Sequence, residues 1–164
     1  MTHVVVDTNV LVVANGSSSQ ADDDCEVAAA NRLQEILRSK VVVVDTEYLA
    51  IVEYSKNASW AGGPGVGDLF FKVLTDNIAN PLRVSRIDIG ASQEEIDMLI
   101  PNRLLDFDSD DRKWIALYLE ASAESIVNAT DSDWSARKSD LVAEGINVLE
   151  LCANCLIKRR ATGV

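Results

Sequence analysis

Val4-Val5-Val6-Asp7-Thr8-Asn9-Val10-Leu11 is the stretch whose reading decides the fold. A short β-branched run reads as a strand buried on both faces, the kind found inside a parallel sheet. It ends in an aspartate, two small polar residues follow, and then an apolar run resumes. In open α/β sheets the functional crevice lies beyond the carboxyl ends of the strands. Asp7 therefore stands where such a fold places its chemistry.

Working outward, Val41-Val42-Val43-Val44 reads as a second buried strand, ending in Asp45-Thr46. Thr46 is the expected cap of a helix whose inner side carries Tyr48, Leu49, Val52 and Ser55, with Glu53 beside that side. A third strand is expected around Val84-Ser85-Arg86-Ile87, a fourth at Ser125-Ile126-Val127-Asn128-Ala129, and a fifth from Ile146 to Leu149. Helical patterns lie between them. Asp22-Asp23-Asp24 suits a helix start and leads into Val27, Ala30, Leu33, Ile36 and Leu37 at helical spacing. Another helix is expected from Asp68, with Leu69, Phe70, Val73 and Leu74 apolar. Ser92-Gln93-Glu94-Glu95 is a capping box, and Pro101 stops the helix it opens. Further helices are expected after Asp111, from Asp140 to a stop at Gly145, and from Glu150 to Arg160. This alternation predicts an α/β three-layer sandwich around a parallel five-stranded sheet with right-handed crossovers. A chain of 164 residues fits one such domain over 1–164.

The formal net charge is −11, which argues against nonspecific nucleic-acid binding driven by Lys and Arg on phosphates. It leaves room for an enzyme that meets nucleic acid through a bound dication. No apolar run reaches the roughly 18 residues of a membrane span. No basic-then-apolar leader opens the chain, so the expected location is the cytoplasm. Cys25, Cys152 and Cys155 are an odd, sparse set that does not suggest a disulfide framework. Cys152 and Cys155 fall on one helical face and read as small core hydrophobes. A zinc site would need two more ligands, and the single histidine is His3. The glycines of 62–67 lack the spacing and lysine of a phosphate-binding loop.

What remains is acidic. The first, second and fourth strands end at Asp7, at Asp45 and at Asp131 with Asp133, while helices add Glu53 and Asp111. Each acid alone has a bland reading as a helix cap or a solvated residue. Asp111, however, shares a helical face with Ile115 and Tyr118, which points it toward the sheet. Two carboxylates about 4 Å apart repel by roughly 4 kcal/mol at an effective dielectric near 20. A converging set needs protons or cations, and Mg²⁺ or Mn²⁺ with oxygen ligands answers that need. With little scope for a histidine base, metal-assisted phosphodiester hydrolysis is the chemistry this inventory best supports.

Asp7-Thr8-Asn9, Glu53-Tyr54, Asp108-Ser109-Asp110-Asp111-Arg112-Lys113-Trp114 and Ile126 through Asp133 resemble the motifs of the PIN-domain family. They stand in the family's order and span nearly the whole chain. The resemblance implies a metal-dependent, RNA-directed nuclease on a parallel five-stranded sheet, in many bacterial members the toxin of a toxin–antitoxin pair, and often a homodimer. Carried across, it makes Asp7, Glu53, Asp111 and Asp131 the metal-binding acids for Mg²⁺ or Mn²⁺. Asp133 would be an accessory acid, with Asn9 and Thr130 as polar support. Asn128-Ala129-Thr130-Asp131 departs from the family's usual Thr-Gly-Asp, so Asp131 and Asp133 compete for one place. Asp108 and Asp110 compete with Asp111, and Glu47 with Glu53. Arg83, Arg86, Arg103, Arg112, Lys113, Arg137 and Lys138 are candidates for an RNA path. The alternative is a PIN-like scaffold that binds nucleic acid or a protein without cutting. A haloacid-dehalogenase phosphatase would need an acid two residues after Asp7, where Asn9 stands.

Overall fold

The four valine-rich or apolar segments and the fifth short one do form strands in a computed structural model, which describes residues 1–153. β1 is His3–Val6, β2 Val41–Asp45, β3 Val84–Ile87, β4 Ser125–Asn128 and β5 Val148–Glu150. They pair in parallel throughout, in the order β3-β2-β1-β4-β5. All five β2 positions are buried, as expected of a strand covered on both faces. The α/β architecture with a central parallel five-stranded sheet flanked by helices is thus as the alternation predicts. No helix among the described residues is long and apolar enough to cross a membrane.

The helices are α1 (Thr8–Ala14), α2 (Asp23–Ser39), α3 (Leu49–Ser55), α4 (Val66–Asp76), α5 (Gln93–Met98), α6 (Ser109–Ala121), α7 (Ser132–Ala136) and α8 (Lys138–Ala143). α6 packs across β1, β2, β3 and β4, while α1, α2 and α4 pack on one another. Register then sets the chemistry. Val6 lies opposite Val127, and the Asp7 N–H donates to the Val127 carbonyl at 3.0 Å, so β1 and β4 end side by side. Asn128 lies opposite Glu150, which brings the end of β5 into the same row.

Several local expectations are corrected. α1 starts directly after β1, where only a resumed apolar run was foreseen: Asp7 caps it by accepting from the Asn9 N–H at 3.2 Å. On α2 the buried residues are Cys25, Ala29, Leu33 and Ile36, and Val27 is exposed. Thr46 does not cap α3. Tyr48 turns the chain at φ +64°, and the Asp45 carboxylate accepts from the N–H groups of Leu49 and Ala50, both at 2.8 Å. The inner side of α3 is consequently Ala50 and Tyr54, with Tyr48 and Val52 exposed. Glu150 ends β5 and does not open a helix. The rest of the expected closing helix, with Cys155, lies outside the described residues.

The reading of Cys152 as a free core thiol is also overturned. Cys25, in the first turn of α2, and Cys152, just after β5, form a disulfide across a Cα–Cα distance of 5.3 Å. Both are buried. The pair is separated by 127 residues, and only the topology brings them together. A bridge closing so long a loop restricts the unfolded chain strongly. Reduction with dithiothreitol is expected to lower the unfolding free energy by about 2–4 kcal/mol. Urea unfolding with and without reductant measures this as a shift in midpoint.

Candidate metal centre

The carboxyl ends of β1 and β4 and the first turn of α6 converge on three aspartates. One ligand oxygen from each of Asp7, Asp111 and Asp131 lies within 4.8 Å of the others. Asp7 is 5% exposed, and Asp111 and Asp131 are half-buried. Each is aimed by a local rule. Asp7 is the cap of α1 and also accepts from the Trp134 indole N–H at 2.8 Å. Asp111 stands in the first turn of α6, which Asp108 caps, and its helical face is the one that turns toward the sheet. Asp131 caps α7, accepting from the Asp133 N–H at 2.9 Å.

A pair of asparagines holds the β4 loop against β1. The Asn9 amide donates to Asn128 Oδ1 at 2.9 Å and its carbonyl oxygen accepts from the Ala129 N–H at 2.8 Å. Asn128 accepts from the Asp131 N–H at 3.2 Å and donates to the Asp131 carbonyl at 2.8 Å. Asn128 also donates to Glu150 Oε2 at 2.6 Å, tying the end of β5 to the same network. Asn128 is fully buried with both its oxygen and its nitrogen engaged, and such an amide fixes a loop strongly because leaving it unpaired would be costly. Thr130 is buried beside them.

The other expected acids are placed differently. Glu53 adjoins the three aspartates without joining their group: Oε1 accepts from the Thr8 hydroxyl at 2.8 Å and Oε2 pairs with Lys113. Asp133 is exposed on α7. Asp45 does not reach the centre, since its buried carboxylate caps α3 with both oxygens. Asp110 and Glu47 are exposed. Trp134 and Glu150 are site residues that the sequence reading missed. Trp134 carried a usable signal, a lone large aromatic directly after the acids and hydroxyls of Thr130-Asp131-Ser132-Asp133.

Electrostatics mark the three aspartates as an unneutralised set. Burial raises Asp111 to about 8, reinforced by the charges of Asp7, Asp131 and Asp108, against the opposing pull of Lys113. Asp7 is raised to about 6 by its burial, and the Trp134 and Asn9 hydrogen bonds hold it from rising further. Asp131 is raised by desolvation, and the Asp133 and Asp108 charges act in the same sense. An all-oxygen, anionic, partly desolvated set of this kind suits a hard dication.

No protein-family model matches this chain, and no curated protein matches it. Among solved structures it is similar to the crystal structure of VapBC2 from Rickettsia felis bound to a DNA fragment from their promoter. The identity is 13% and the TM-score 0.47, over 90% of this chain and 98% of that one. A likeness that distant carries no conclusion about this protein.

The raised acids make a pH-dependent stability. Aspartates in the unfolded chain ionise near pH 3.9. Above that value the unfolded chain binds fewer protons than the folded centre, so stability falls as pH rises. The fall runs through about 6 for Asp7 and about 8 for Asp111 and levels beyond. In EDTA, urea midpoints are expected to decrease from pH 5 to pH 8. Asp111→Asn removes the highest of these titrations and should flatten the upper half of the curve.

Proposed function

We propose that this protein is a divalent-metal-dependent endoribonuclease. The observation that carries the reading is the convergence of Asp7, Asp111 and Asp131 within 4.8 Å at the carboxyl ends of β1 and β4. That is where an open parallel sheet places its site. The order of the acids and their resemblance to the PIN motifs supply the substrate class. In this reading Asp7, Asp111 and Asp131 hold Mg²⁺ or Mn²⁺, with Glu53 adjoining and Asp133 at the rim. The resemblance extends to an antitoxin as partner and to a homodimer.

When bound, the ion supplies the Lewis acidity that lowers the pKa of a water and offsets the charge of a phosphodiester. The protein's own residues prepare the centre. Trp134 and the α1 amide keep Asp7 in one orientation. The asparagine pair keeps Asp131 facing it. Burial of Asp7 limits competition from water, which strengthens the pull of the carboxylates on a cation. His3 opens β1, at the end of the strand away from Asp7, so the histidine stands apart from this chemistry.

Asp7→Asn is the obvious test, but Asp7 also caps α1 and anchors Trp134. Asparagine caps a helix as well as aspartate does, but its amide has one acceptor oxygen where Asp7 accepts from both Asn9 and Trp134, so one of those bonds would be lost. Asp111→Asn is cleaner, because Asp111 makes no helix-capping bond. Both variants are expected to lose cleavage of single-stranded RNA by at least about 100-fold. Both should also lose Mn²⁺ binding in calorimetry, with the folded circular dichroism spectrum kept. Wild-type Mn²⁺ binding without cleavage would favour the noncutting scaffold. Unchanged cleavage by purified Asp111→Asn would overturn the assignment of the site.

A further inference from the structure

Resting on the nuclease reading, we propose that Lys113 is the cation that meets the phosphodiester beside a single-ion centre, and that Glu53 holds Lys113 in place and is not itself a metal ligand. The first observation is that both Glu53 oxygens are engaged, one by Thr8 and the other by Lys113. One Mg²⁺ needs only one or two protein carboxylates. Asp7, Asp111 and Asp131 therefore complete a one-ion site without it. A second ion drawn to Glu53 would have to displace an ammonium or share its carboxylate, and like charges oppose that.

The second observation is the setting of Lys113. It is 7% exposed, and among the described residues it is the one buried basic side chain. Its ammonium pairs with Glu53, donates to the Asp110 carbonyl, and lies 4.6 Å from the centre of the Trp114 ring. An ammonium has three donors, and the two oxygen partners, Glu53 and the Asp110 carbonyl, take two of them. Lys113 also lies near enough to Asp111 to favour its ionised form. The third observation is the space in front of it. A cavity of about 240 Å³ is lined by Glu53, Lys113, Ser109, Asp110, Lys56 and Gln93, among others. Glu53 and Lys113, which neighbour the three aspartates, thus also line a cavity that holds a second lysine, in a chain of net charge −11. The chemistry that suits this juxtaposition is a phosphate oxygen of a single-stranded nucleic acid, contacting Lys113 through its remaining N–H. The side chain behind that contact is buried, so the charge is fixed in position before substrate arrives.

The test combines Mn²⁺ calorimetry with RNA cleavage on four proteins: wild type, Glu53→Gln, Lys113→Met and the double variant. One ion is expected per wild-type chain, and Glu53→Gln should keep its affinity within a few-fold. Lys113→Met should bind Mn²⁺ at least as tightly as wild type, because a neighbouring positive charge is gone. Its cleavage should fall by about 100-fold. If Glu53 acts through Lys113, adding Glu53→Gln to Lys113→Met costs no further activity. Lys113→Met leaves Glu53 without its partner. The double variant removes both charges and keeps the test available if that single variant fails to fold. Two ions per chain, a tenfold loss of Mn²⁺ affinity in Glu53→Gln, or full cleavage by Lys113→Met would each overturn the proposal while leaving the nuclease reading intact. No Mn²⁺ bound and no RNA cut would overturn both.

Discussion

The buried carboxylate of Asp7 is the constraint on which the rest depends. It closes β1, starts α1, and accepts a hydrogen bond from Trp134, which is 127 positions further along the chain. Taking a charged carboxylate out of water is expensive unless its lone pairs are matched. Asp7 has two donors, and two other aspartates close by. Asp45 is the instructive contrast. It ends the neighbouring strand and is buried more completely, yet two N–H groups of α3 satisfy it and no other carboxylate of the cluster reaches it. The same residue type at the same place in the topology is architecture in β2 and an unfinished electrostatic problem in β1.

That problem is held in place by the polar staple between β1 and β4. Asn9 and Asn128 occupy each other's hydrogen-bonding groups and those of the loop carrying Asp131. Because Asn128 also binds Glu150, the geometry of the centre depends on β5 being docked. The Cys25–Cys152 bridge fastens the chain two residues beyond Glu150 to the start of α2. The three acids are therefore fixed by elements drawn from both ends of the described chain. This accounts for how a loop of small polar residues can aim a carboxylate at like-charged neighbours. The repulsion is opposed by a network whose dissolution would leave the buried Asn128 amide unpaired.

The sheet was legible because uninterrupted valine runs have few other solutions in a protein of this size. Asp7 and Asp111 were legible for a related reason: one ends a buried strand and the other lies on the buried stripe of a helix. The first helix was not. Val10-Leu11-Val12-Val13 is poor helix-forming sequence by intrinsic propensity, and the local cap by Asp7 together with burial of Val10, Leu11 and Val13 overrides it. The phase of α3 was misread because its start was placed at Thr46, whereas Tyr48 in a left-handed conformation delays it. The way the chain enters α3 at Tyr48 sets which side meets the sheet, and that side carries Ala50 and Tyr54 while Val52 faces outward. Neither the disulfide nor the Glu53–Lys113 pair has a local signature. Each is a contact between segments whose spacing along the chain says nothing of their distance in space.

The cations show why the RNA path was the least legible feature. Of the basic residues singled out by sequence, Arg103 pairs with Glu144, Arg112 with Asp97, and Arg137 with both Asp106 and Asp140. Arg83 donates to the Leu37 carbonyl and Arg86 to the Tyr48 hydroxyl. These charges brace loops and helix ends. A chain so acidic cannot draw in a polyanion by long-range attraction. On the proposed nuclease reading, engagement of a phosphodiester then rests on short-range neutralisation at the centre itself. Lys113 is distinguished there by burial: it is the one basic side chain, among the described residues, enclosed beside the acids.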